Sequence, residues 1–150
     1  MDEPDVEIVP ATAKNLYSIT AMTKAFFPYT RFTFETILQR MESKNISYFA
    51  AVKEGHTVGF VDIEVQDDGN AKILGLAVLK ELQGKGIGKK LLQKALDFAR
   101  GKNCPNVFLF VADDNSVAQK LYGEFGFQKH GVLEKKLGGK TVLIYDKRLF

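Results

Sequence analysis

The chain has 150 residues, 45% of them hydrophobic and 26% charged, a composition that suits one soluble domain with a real core and excludes a fibrous or disordered segment. Its 21 basic and 18 acidic residues leave a net charge of +3 spread along the sequence, which excludes a nucleic-acid-binding stripe and a polybasic membrane-binding block. A single cysteine, Cys104, excludes an internal disulfide, and His56 and His130 stand far apart without ligand spacing, so no metal is expected. With no signal peptide and no apolar run of bilayer length, a cytoplasmic monomer or homodimer is the expectation.

After the polar residues Met1 to Asp5, "VEIVPA" predicts a short strand ended by Pro10. Thr12 is placed to cap a helix over "AKNLYSITAMTKAFF", where Leu16, Ile19, Met22 or Thr23, and Phe26 repeat at helical spacing until Pro28 stops it. Pro28 and Tyr29 make a corner. Thr33 then caps a second helix, "FETILQRMES", with Phe34, Ile37, Leu38 and Met41 on one face and Glu35 at its acidic start. From Ser47 the pattern changes to "SYFAAVKEG", "TVGFVDIEVQ" and "AKILGLAVLK", separated by "EGH" and "DDGN", which predicts an antiparallel meander. "KKLLQKALDFARGKN" follows as a helix whose Ile87, Leu91, Leu92, Ala95, Leu96 and Ala99 form one apolar face against the sheet. "NVFLFVADD" is far enough along to return as a parallel strand through a right-handed crossover. Asn115 caps "SVAQKLYGEF", with Val117, Ala118, Leu121, Tyr122 and Phe125 facing inward and Gly126 as a left-handed cap. Two strands, "FQKHGVLEKKL" and "KTVLIYDKRLF", close the chain around Gly138-Gly139. The order βααβββαβαββ, without repeat or linker, gives an α/β fold of one mixed sheet with helices on its faces, a single domain over 1–150.

The segment "LKELQGKGIGKKLL" sets Gly84, Gly86 and Gly88 just before a helix, where each glycine costs about 0.5–1 kcal/mol relative to alanine. A nucleotide-triphosphate loop fails, because Gly88-Lys89 is followed by Lys90 rather than Ser or Thr and Gln83 stands at the first glycine position. A dinucleotide fingerprint fails too, with Lys89 where its third glycine belongs. What remains is a strand, a tight turn and a helix start whose amides face outward beside Lys85, Lys89 and Lys90, an arrangement suited to an anion. A plain strand-to-helix turn with solvated lysines has the same spacing.

"LAVLKELQGKGIGKKLL" resembles the pyrophosphate-binding segment of the GNAT N-acetyltransferases, Q/R-x-x-G-x-G/A, through Gln83, Gly86 and Gly88. "NSVAQKLYGEFGF" is similar to a second segment of that family, N-x-x-A-x-x-L-Y-x-x-x-G-F, through Asn115, Ala118, Leu121, Tyr122, Gly126 and Phe127. The resemblance covers nearly the whole chain and implies acetyl-CoA as donor, with CoA as product, in a gap between the fourth and fifth strands. It implies that Leu76, Ala77 and Val78 pair with the pantetheine arm as an added strand would. Gly84, Lys85, Gly86, Ile87, Gly88 and Lys89 would take the pyrophosphate, and Asn115 and Ala118 would border the arm. Tyr122 would give a proton to the leaving thiolate, and a backbone N–H near Val78 would stabilise the developing oxyanion. A buried aromatic with no chemistry is the alternative for Tyr122.

The match departs from the family where a base is expected. The favoured position on the fourth strand holds Lys72, and the one used on the fifth strand by relatives of the RimI type holds Phe110. Glu64, on the neighbouring strand, is the substitute, acting through water, with a solvated strand residue as the alternative. A lysine amine is neutral about 0.04% of the time at pH 7 and an α-amine roughly 10%, so a weak base favours the α-amine. "TKAFFPYTRFTFETI" also resembles the substrate corner of the RimI and archaeal Ard protein N-terminal acetyltransferases, which implies an acceptor site at Phe27, Pro28 and Tyr29. Those relatives carry a tyrosine pair in the last hairpin where this chain has "KKLGGK". The expected reaction is acetyl transfer to a protein N-terminus. A lysine or small-amine acceptor, or a noncatalytic acetyl-CoA-binding module, are the alternatives.

Overall fold

A computed structural model describes residues 5–150, so Met1 to Pro4 of the polar N-terminus lie outside the described residues. The chain runs β1 (Glu7–Pro10), α1 (Leu16–Phe26), α2 (Phe34–Glu42), β2 (Ile46–Lys53), β3 (His56–Val65), β4 (Ala71–Val78), α3 (Ile87–Gly101), β5 (Asn106–Ala112), α4 (Ser116–Glu124), β6 (Gln128–Val132) and β7 (Val142–Arg148). Its seven strands form one sheet in the order β1-β2-β3-β4-β5-β7-β6, antiparallel throughout except at β4 and β5. The only neighbours that need a parallel crossover are the pair joined by α3, a helix long enough to span the sheet.

Local chemistry sets the element ends. Thr12 and Asn15 form a capping box around a single 3-10 turn ahead of α1, and the Asn15 amide donates to Thr57 Oγ1 at 2.9 Å, fixing the entry to the sheet. Thr33 accepts from the Thr36 N–H and starts α2. Helices α1 and α2 cover one face of the sheet, packing Leu16, Ile19, Met22 and Ile37 on Tyr48, Phe60 and Ala77. On the other face α3 buries Leu91, Leu92, Ala95 and Leu96 against Val61, Ile63 and Leu109, each large side chain contributing about 1.5–3 kcal/mol. Gly59 allows that contact, since a Cβ there would meet the Ala77 carbonyl at 2.8 Å and Leu91 at 3.1 Å.

Three helix faces differ from the sequence reading. Phe26, Leu38 and Val117 are exposed, Val117 by 78%. In α1 the inward aromatic is Phe27, one residue past the helix, and in α4 the stripe centres on Ala118, Leu121 and Tyr122 with Val117 at its margin. The last hairpin also differs. Gly138 and Gly139 do make a two-residue turn with φ of +58° and +77° between Leu137 and Lys140, but β6 ends at Val132. The Leu133 N–H still donates to the Val142 carbonyl and the Thr141 carbonyl accepts from the Asp113 N–H, and between them residues 134–140 leave the sheet and close on themselves through a Leu137–Lys140 bridge.

Candidate active site

β4 and β5 pair at Ala71 with Val107, Lys72 with Phe108 and Ile73 with Leu109, and then part. The cause lies in β4. Ile73 faces Ile63 but Gly75 faces Asp62, so Leu74 is an extra residue that bends the strand, and past it the β5-facing edge of β4 lacks a strand partner. An extended ligand can pair with such an edge. Leu76, Ala77 and Val78 form it.

The glycine turn stands at the end of that edge. A single 3-10 turn, Lys80–Leu82, leads out of β4, and Gln83 ties it back by donating Nε2–H to the Val78 carbonyl at 3.0 Å. Gly84 and Gly86 have φ of +79° and +90°, which L side chains rarely adopt, and the space above both is open. Along residues 84–89 no backbone N–H has an acceptor within the described chain. Ile87 starts α3 directly after them, so the helix dipole adds to this row of donors. These residues fit a pyrophosphate. Gly88 lies where Leu76 of β4 and Leu121 of α4 meet, which brings edge, turn and α4 together. Lys85 is exposed, whereas Lys89 pairs with Glu124 at 3.1 Å.

On α4, Asn115 caps the helix by accepting from the Ala118 N–H at 3.1 Å, which leaves its amide N–H groups available. Tyr122, one turn beyond Ala118, is buried against Phe127 with ring centroids 5.7 Å apart. Its hydroxyl makes no hydrogen bond among the described residues, and burial pushes the phenol up to about 12.

The opposite face, under α1 and α2, holds a cavity of about 40 Å³. Phe27, Tyr29, Phe32 and Phe60 wall it, and Leu74 and Gly75 of the β4 bulge form part of its lining. Pro28 opens the 3-10 turn Pro28–Thr30 that presents Tyr29, whose ring packs over Gly138 of the last hairpin. At its floor lies Asp62, only 4% exposed, whose Oδ2 accepts from Arg40 Nη2 at 2.8 Å. Arg40 Nε donates to the Tyr48 hydroxyl at 2.9 Å, and the guanidinium stacks 4.6 Å above Phe32. Burial pushes the Asp62 carboxyl up to about 6 against the opposing pull of Arg40, and burial likewise raises the Tyr48 phenol.

Sequence reading missed Asp62, Arg40 and Tyr48. The available signal is an acid at an inward position of "GFVDIEV", sharing a face with Phe60. Glu64 points to the same side of the sheet but further along, accepting from Gln66 Nε2 and standing opposite Lys72. It borders an open hollow with Asn45, Gln66, Asp67 and Asp68 and does not line the aromatic cavity. Lys72 lies 4.0 Å from the centre of the Phe110 ring, so the two positions without a carboxylate stack on each other, and burial lowers the Lys72 ammonium. Among the described residues no His, Cys, Asp and Glu cluster could hold a metal, and no helix is long and apolar enough to cross a membrane.

Residues 15–127 match the acetyltransferase (GNAT) family. A relative from Bacillus subtilis (strain 168), provisionally named a ribosomal protein bS18-alanine N-acetyltransferase, is 30% identical over 70% of this chain and 68% of its own. Human N-acetylaspartate synthetase is 31% identical over 73% of this chain, which spans only 37% of that protein's length. The crystal structure of Ard1 from Thermoplasma volcanium superposes with a TM-score of 0.87 over 97% of this chain and 98% of that one, at 21% identity. The chain belongs to the GNAT acetyltransferases, enzymes that move an acetyl group from acetyl-CoA to an amine nitrogen.

Proposed function

We propose that the acceptor is the α-amine of a protein N-terminus. The observation that carries this reading is the small aromatic cavity at the β4 bulge, on the face away from the glycine turn. With a volume of about 40 Å³ it is small and suits a compact amine head. Phe27 and Tyr29 border the entrance as the acceptor site, with Pro28 setting the turn that carries them. The Bacillus relative's name, which points to an N-terminal alanine, supports the same acceptor.

Acetyl-CoA supplies the acyl group as a reactive thioester. Amides of Gly84, Lys85, Gly86, Ile87, Gly88 and Lys89 hold its pyrophosphate, and Gln83 fixes their orientation through Val78. The edge at Leu76, Ala77 and Val78 aligns the pantetheine arm, and Asn115 and Ala118 at the start of α4 border it. Tyr122 holds a proton for the departing sulfur. Its raised pKa keeps the phenol protonated across physiological pH.

The test is CoA release at pH 7 with three acceptors: a peptide with a free small N-terminal residue, the same peptide blocked at its N-terminus and carrying one lysine, and spermine. The free N-terminus should be the fastest, since an α-ammonium with a pKa of about 8 gives up its proton in the site far more readily than a lysine ammonium of about 10.4. Faster release with lysine or spermine would overturn the assignment.

A further inference from the structure

We propose that Asp62 receives the ammonium group of the acceptor and takes its proton, with Arg40 and Tyr48 as positioning residues. This inference rests on the acetyl-transfer reading and adds the proton acceptor that Lys72 and Phe110 do not supply.

Three observations carry it. Asp62 is the carboxylate that lines the cavity at the β4 bulge, and its neighbours there are mainly aromatic rings. Its Oδ2 is held by Arg40, while Oδ1 turns toward β4, 3.0 Å from where a Cβ on Gly75 would stand. Gly75 therefore keeps open the space between the carboxylate and the strand edge. The cavity is also small enough to suit a compact ammonium head, and its Phe27, Tyr29 and Phe60 rings suit a cation beside the Arg40–Asp62 pair. An ion pair that served only to fasten α2 to the sheet needs neither the glycine nor the cavity.

The step balances as follows. The acceptor enters as R–NH₃⁺, and Asp62 takes one proton to give R–NH₂. The nitrogen lone pair forms the N–C bond to the acetyl carbon, the C–S bond breaks with its electron pair on sulfur, and Tyr122 protonates that thiolate. The surplus proton on the new amide nitrogen restores the Tyr122 phenol through solvent, and Asp62 releases its proton to water.

The groups that face Asp62 are Arg40 from α2, Tyr48 from β2, Tyr29 from the turn after α1 and the neutral hydroxyl of Thr23 from α1, with Lys72 at the next position of β4 on the same face. Burial is the larger influence and Arg40 is the cation that opposes it, so the Asp62 carboxyl is pushed up to about 6 and remains mostly ionised at pH 7.

The experiment combines a pH profile with a titration. When Asp62 must be ionised and the amine charged, kcat/KM for an α-amino peptide rises through about pH 6 and falls above about pH 8, a bell. Asp62→Asn should lower kcat/KM at pH 7 by roughly 10²–10⁴-fold and replace the bell with a single rise that levels off near 8. Independently, carbon-13 NMR of the wild-type Asp62 carboxyl in the CoA complex should show its pKa falling by about one unit or more when the unreactive pair of peptide and CoA is formed. A wild-type profile that follows neutral amine alone, or a carboxyl titration that the peptide leaves unchanged, would overturn the role of Asp62. Should Asp62→Asn fail to fold, the wild-type profile and titration decide. Absence of CoA release from any amine by the wild type would instead overturn the acetyl-transfer reading, and the NMR titration would still report whether Asp62 meets the ammonium.

Discussion

The Tyr122 ring packs in an apolar cluster, and its hydroxyl makes no hydrogen bond among the described residues. Removing that hydroxyl breaks no hydrogen bond within the fold, so Tyr122→Phe should fold at least as firmly as the wild type and still bind acetyl-CoA. Its turnover should fall by roughly 10²–10⁴-fold, read as kcat against thermal stability in the same preparation. Unchanged turnover would return Tyr122 to a packing role. Its inward place on α4 was legible because it sits at a fixed position in a segment with several other matching residues. Asp62 was not, because its meaning depends on Arg40 and Tyr48, which come from another helix and another strand. Alternation in β3 shows which side Asp62 faces, but not that α2 leaves an arginine there and β4 a glycine.

Among the elements, the turn before α3 makes the sharpest prediction. Acetyl-CoA at 100 times its Kd should stabilise the wild type by about 2.7 kcal/mol, on the order of 5–10 °C in Tm. Gly86→Glu should abolish that shift, because it forces a side chain into φ of +90° and puts a carboxylate where phosphate belongs. Gly86→Ala brings the strain without the charge, so it should cost about 1 kcal/mol in stability and retain part of the shift. A full shift in Gly86→Glu would remove the anion site. The apolar face of α3 was legible residue by residue, since its 15 residues repeat the stripe over several turns. In α4, with nine residues, the margin of the stripe cannot be told from its centre, which is why Val117 was placed inside. Phe26 failed for a different reason. The helix ends there, and Phe27, the first residue to leave helical geometry, packs inward instead while Tyr29 on the following 3-10 turn stays exposed.

For the whole molecule, the order of elements was legible, and with it the single parallel pair that a crossover helix requires. The bulge at Leu74 was not, because "KILGLAV" is apolar on both faces and an extra residue leaves no break in the pattern. The end of β6 at Val132 was hidden too, since strand-like residues continue past it, where residues 134–140 close on themselves through the Leu137–Lys140 bridge instead of lengthening the sheet. Together these features place the glycine turn and Tyr122 with α3 and α4, and the aromatic cavity under α1 and α2, with the β4 bulge between them. The central claim is that donor and acceptor approach from these two sides and meet at Leu74 and Gly75. Backbone amide NMR shifts test it most directly, with CoA added first and an N-terminal peptide second. CoA should move residues 74–78 and 84–89, and the peptide should then move Phe27, Tyr29, Asp62 and Gly75 while leaving 84–89 unchanged. Peptide shifts concentrated in residues 84–89, or CoA shifts that spare that turn, would contradict the account.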